Sequence, residues 1–134
     1  MINVKIMLLA ENVIRDTESN RMTAINIFEN MTVPDFPLYM PTLCVLTISE
    51  RARQDPAKHD CKLLIKLNKE RVFETPVAID FQDKLSNRAV LKVLGFVIPH
   101  PGKLEASLMQ GRRRLARCDI DVVGVPRILK KETD

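Results

Sequence analysis

Along most of this chain the apolar positions recur at every second residue, the period of a strand with one buried face. The clearest stretch is Cys61-Lys62-Leu63-Leu64-Ile65-Lys66-Leu67-Asn68. Extended, it places Cys61, Leu63, Ile65 and Leu67 on one side and Lys62, Leu64, Lys66 and Asn68 on the other. One apolar and one mostly wet face is the signature of an antiparallel sheet with a solvated side. Comparable runs predict about eight strands, at roughly 3–11, 22–32, 42–50, 60–68, 71–80, 87–98, 103–109 and 114–123.

The punctuation between these runs fits short strands. Asp16-Thr17-Glu18-Ser19-Asn20 separates the first two, and Asp55-Pro56 precedes the fourth. Pro34, Pro37 and Pro41 predict a stiff crossing to the third strand, because proline cannot serve a central ladder. Lys69-Glu70 reads as a tight hairpin turn, Pro99 to Gly102 ends the sixth strand, and Gln110-Gly111 turns the seventh into the eighth. Leu104, Leu108 and Leu115 could also line a helix spanning 104–117. Gly111 would then sit mid-helix at a penalty of about 1 kcal/mol relative to Ala. The downstream alternation of Ala116, Cys118, Ile120 and Val122 with Arg117, Asp119 and Asp121 favours the hairpin. The expected fold is therefore an all-β antiparallel sandwich, immunoglobulin-like or C2-like. It would form a single domain over residues 1–126, with a charged tail over 127–134.

Composition adds limits. A chain of 134 residues can close one core of ordinary size without a metal or disulfide staple. The net charge of +4 is compatible with an acidic partner or nucleic acid but does not demand one. One Tyr, five Phe and no Trp leave few stacking platforms for single-stranded nucleic acid. Three cysteines, an odd number, do not make a disulfide framework. The apolar run Ile6–Ala10 is short for a signal peptide core, and no stretch approaches the ~20 apolar residues of a membrane span. A cytoplasmic protein with reduced thiols, away from membranes, is the expectation.

Met22-Thr23-Ala24-Ile25-Asn26-Ile27-Phe28-Glu29-Asn30, then Phe36-Pro37, Pro41-Thr42-Leu43, Pro101-Gly102 and Gly111, together resemble a pattern in small bacterial proteins grouped as a domain of unknown function. The resemblance spans most of the chain. It implies a β-sandwich and brings no catalytic residues with it.

The candidate chemistry is sparse. His59 and Cys61 share a strand face and could offer two metal ligands, but zinc needs three or four. Core filling is the commoner role of such a cysteine, as of Cys44 and Cys118. A cysteine nucleophile needs a base, and neither His59 nor His100 lies in a recognisable motif. Asp119 and Asp121 alternate on one face with Arg117, with Glu105 opposite on the neighbouring strand, which cross-strand ion pairing explains. No enzyme activity, metal or cofactor is implied. Two surfaces remain for a partner. Arg112, Arg113 and Arg114, with Arg117 nearby, form the densest charge and could pair with phosphates or carboxylates. Arg127, Lys130 and Lys131 could extend that group. Leu38, Tyr39 and Met40 either cap the sandwich or form an apolar patch for self-association. The expected function is a non-catalytic binding or structural module that forms a homo-oligomer or joins a protein assembly. The alternative is a weak binder of nucleic acid or another polyanion through the arginine turn.

Overall fold

The computed structural model describes residues 2–125. Among these residues nine strands run in order: β1 Asn3–Arg15, β2 Met22–Ile27, β3 Asn30–Val33, β4 Leu38–Glu50, β5 Lys58–Leu67, β6 Glu70–Asp80, β7 Ser86–Ile98, β8 Gly102–Gln110 and β9 Arg113–Gly124. They form a four-stranded sheet, β2-β1-β4-β7, packed on a five-stranded sheet, β3-β9-β8-β5-β6. The expected β-sandwich is present. Its pairings are antiparallel except for β3, which runs parallel to β9. The charged tail from 127 lies outside the described residues, as do Arg127, Lys130 and Lys131.

The inner faces read directly from the alternation. Leu63, Ile65 and Leu67 of β5 meet Leu104, Ala106 and Leu108 of β8, with Ile120 and Val122 of β9 beyond them. The opposing sheet supplies Leu9, Leu43, Val45 and Val93. Lys62 is exposed as its position requires, but Lys66 is half-buried. It stands between Arg71 of β6 and Glu105 of β8, so neighbouring stems cover its methylenes.

Several expectations shift. The run 22–32 is two strands, because β2 pairs with β1 while β3 crosses to β9 in the other sheet. Pro41 lies inside β4 and not in a connection before it. It is tolerated there because β1 pairs with β4 only as far as Cys44, so one side of β4 is locally an edge. The first hairpin of the five-stranded sheet turns at Asn68-Lys69, one residue earlier than expected, with φ of 50° and 70°. Positive φ at both central residues is the type I′ turn that matches strand twist. Asn68 also fastens the next connection. Its Oδ1 accepts the Lys103 N–H at 2.9 Å, and a methyl group at Gly102 would overlap its side chain. The segment 104–117 is the β8–β9 hairpin, with Gly111 at φ 61° and the turn at Gly111-Arg112.

One strand is buried on both sides. Leu43 and Val45 of β4 enter the main core, while Cys44 and Leu46 form a second cluster with Ala10 and Val13. Residues that alternate in this way must point to opposite faces, so the second cluster lies on the outside of the four-stranded sheet. Val13, Met22 and Ala24 pack onto it together with Val90 of β7. β2 and β7 are opposite edges of the sheet, so the distal half of the β1–β2 hairpin folds back across the outer face. At its tip the Arg88 guanidinium donates to the Asn20 carbonyl at 2.6 Å. The turn is organised by Asp16, whose carboxylate accepts the Glu18 N–H at 3.0 Å and the Ser19 hydroxyl at 2.9 Å. These donors hold the Asp16 carboxyl below its usual range.

Leu63 is fully buried on β5, between β8 and β6 of the five-stranded sheet. We expect Leu63→Ala to destabilise the protein by about 2–5 kcal/mol, read from urea unfolding at constant m. Lys62→Ala, on the wet face of the same strand, should cost far less; equal losses would contradict the face assignment.

Candidate functional site

The arginine turn does not act as a single group. Arg112 and Arg113 are exposed at the β8–β9 tip. A bulge between Leu108 and Met109 carries the following residues back onto the sheet. There the Arg114 guanidinium lies 3.5 Å, and that of Arg117 4.0 Å, from the Glu105 carboxylate. Glu105 is directly opposite Asp119, and Asp119 lies 3.7 Å from the Lys103 ammonium. The acidic pair is thus neutralised across strands, and two of the four arginines are already engaged by a carboxylate.

The segment 38–40 is divided by the sheet. Met40 is buried and Leu38 half-buried against the main core, so they cap the sandwich and offer no patch. Tyr39 alone remains exposed, at 61%. Its ring lies over Gly95, with the hydroxyl 3.6 Å from where a Cβ would stand. Tyr39 pairs with Val97, 46% exposed, and near them Leu94 is 75% exposed. These three residues form an apolar strip along β7, which is an edge of its sheet.

That edge differs from the others. β2 and β3 are short, with 6 and 4 residues. β6 carries Pro76 and a register shift against β5 between Ile65 and Lys66. Short strands, proline and bulges are the devices that blunt an edge. β7 runs for 13 residues without proline and pairs with β4 without a register shift. Its own devices are Arg88, Lys92 and a local kink at Gly95, where φ is 67°.

His59 and the cysteines serve the core. His59 Nε2–H donates to the Pro56 carbonyl at 2.8 Å, and Nδ1 accepts from the Gln110 amide at 3.0 Å. Both ring nitrogens are therefore engaged, and the ring meets Phe81 edge-on at 6.0 Å. Among the described residues no three His, Cys, Asp or Glu side chains gather as a metal site would require. Cys44, Cys61 and Cys118 are free thiols. Burial pushes the Cys61 thiol up, with Asp60 adding to it, and burial also raises Cys118. A nucleophilic cysteine needs the opposite shift.

Arg51 was not singled out by the sequence, since an isolated arginine after a strand carries no pattern. Its Nε and Nη1 donate to the carbonyls of Lys84 and Asp55, both at 2.9 Å, and its Nη2 to that of Gln82 at 3.4 Å. It also lies over the Phe81 ring at 5.7 Å. One side chain thus fastens the loops on either side of the β5–β6 pair.

The family model described as a family of unknown function (DUF6941) matches residues 5–123. The chain belongs to this family. A comparison with curated proteins finds no match. The match reaches all nine strands named above, so the arginine turn, the Tyr39 strip and the β7 edge all lie within the family's domain. Among the described residues no helix is long and apolar enough to cross a membrane.

The raised thiols give a pH dependence. A group whose folded pKa is raised contributes stability that is complete below its unfolded value and is lost as pH rises through the folded one. Between about pH 8 and about pH 10 the wild type should therefore lose more stability than the Cys61→Ala/Cys118→Ala variant. Urea midpoints at the two pH values measure this, and parallel losses in both proteins would contradict it.

Proposed function

We propose that this protein is a non-catalytic assembly module that binds another polypeptide by strand addition at β7. The observation that carries the reading is the long open edge of β7, with Tyr39, Leu94 and Val97 exposed beside it. An added strand gains main-chain hydrogen bonds along such an edge, and the flanking side chains supply selectivity.

Charge favours a partner other than a second copy. β7 carries Arg88 and Lys92 and no acid. Antiparallel pairing of two β7 strands about Val90 would set Arg88 against Lys92 on both sides of the axis, and like charges directly opposite are destabilising. A strand with acidic residues at those positions and an apolar one against Leu94 is the complement. The arginine turn is a weaker candidate, because Arg114 and Arg117 are drawn back to Glu105.

The test uses a displayed library of peptides of about ten residues, the length of an ordinary strand, with Asp or Glu at alternate positions. Selected binders should protect the β7 amides from hydrogen exchange and lose affinity for Lys92→Glu and Leu94→Lys. Light scattering should return the monomer mass. Binders that leave β7 exchange unchanged would overturn the reading, as would a dimer abolished by Leu94→Lys.

A further inference from the structure

A cleft of about 510 Å³ opens between the β1–β2 turn and the loop that joins β6 to β7. Arg15, Lys84 and Arg88 line it, each from a different segment: the end of β1, the 81–85 loop and the start of β7. None of the three has a carboxylate partner within 4.0 Å among the described residues. Among the described residues that line the cleft the one acid is Asp80, and its Oδ1 is used by the Gln82 N–H at 2.9 Å. Like charges brought together in a concave site repel one another, and an anion relieves that repulsion.

The site is held from behind. Arg51 fastens the carbonyls of Lys84 and Gln82 without itself lining the cleft. Arg88 is oriented by its bond to the Asn20 carbonyl, which uses one of five guanidinium donors. The folded-back hairpin brings Arg15 and Asn20 to this place, so the cleft exists only in the folded chain. Asn20, Gln82 and Ser86 also line the cleft and offer neutral polar groups beside the cations. Asn87 Nδ2 donates to the Asp80 carbonyl at 3.1 Å, which fastens the start of β7 to the end of β6.

We propose that this cleft binds a small phosphomonoester. The phosphate oxygens take the Arg15, Lys84 and Arg88 donors, and the polar groups of the ester moiety meet Asn20, Gln82 and Ser86 on the same wall. Arginine forks match phosphate geometry, and the volume lies within the range of small-ligand sites. Sugar phosphates and nucleoside monophosphates share this chemistry. The site does not depend on strand addition at β7, since Arg15 and Lys84 lie outside that strand.

The experiment is calorimetric titration of the full chain with inorganic phosphate, glucose 6-phosphate and adenosine monophosphate, at low and moderate salt. At least one phosphomonoester should bind more tightly than inorganic phosphate and weaken as salt rises. The Arg15→Gln/Lys84→Gln variant changes two surface side chains, and its fold is checked by circular dichroism and thermal melting. It should bind at least about tenfold more weakly, whereas Arg112→Ser/Arg113→Ser should bind as wild type does. If neither organic phosphate binds more tightly than inorganic phosphate, the proposal is overturned. Affinity unchanged in Arg15→Gln/Lys84→Gln, or lost equally in Arg112→Ser/Arg113→Ser, would also overturn it. Retained acidic-peptide binding by Arg15→Gln/Lys84→Gln separates this result from the strand-addition reading.

Discussion

β4 is buried on both faces, and that constraint shapes the rest of the molecule. Leu43, Cys44 and Val45 are fully buried in succession, with Leu46 nearly so. A two-layer sandwich can cover only one side of such a strand, so a third layer must come from elsewhere. Burying a side chain of this size is worth about 1.5–3 kcal/mol, enough to hold a hairpin against the sheet. β1 therefore leaves β4 after Ala10 and returns with β2 over Cys44 and Leu46. Its length of 13 residues is what such a double role requires.

The fold-back determines which surfaces remain. It occupies the outer face over β1 and β4 and ends at Arg88, leaving the far end of β7, with Lys92, Leu94 and Val97, uncovered. It also creates the cleft, because Arg15 and Asn20 meet the 81–86 segment only through the returning hairpin. The five-stranded sheet has a different character. Its outer face is closed by ion pairs, Lys62 with Glu74 at 2.6 Å, Arg71 with Glu74 at 2.7 Å, and Glu105 with Arg114. Exposed pairs of this kind add little to stability, yet they match Lys62, Arg71, Glu74, Glu105 and Arg114 to opposite charges on that face.

The alternation in Cys61–Asn68 or Ala116–Val122 made both inner-facing sets legible, because a two-residue period and one wet face leave a single solution. Leu43–Leu46 does not alternate, so the sequence gives no hint that its two faces meet different layers. The break between β2 and β3 was hidden for a related reason: the strand changes sheets within one continuous apolar pattern. Asn68-Lys69 rather than Lys69-Glu70 forms the turn because asparagine tolerates positive φ, a local preference that hydropathy does not display. Arg112–Arg114 stood out as a run of like residues, yet the β-bulge sends Arg114 to Glu105. Arg15, Lys84 and Arg88 are scattered in the sequence, and only the folded-back hairpin brings them together.

Methyl-resolved nuclear Overhauser spectroscopy reads whether the distal β1–β2 hairpin covers the outside of β4. Cross-peaks are expected from the Met22 and Ala24 methyls to those of Leu46 and Val90. Absence of these peaks, with Leu46 accessible to a soluble paramagnetic probe, would contradict that arrangement.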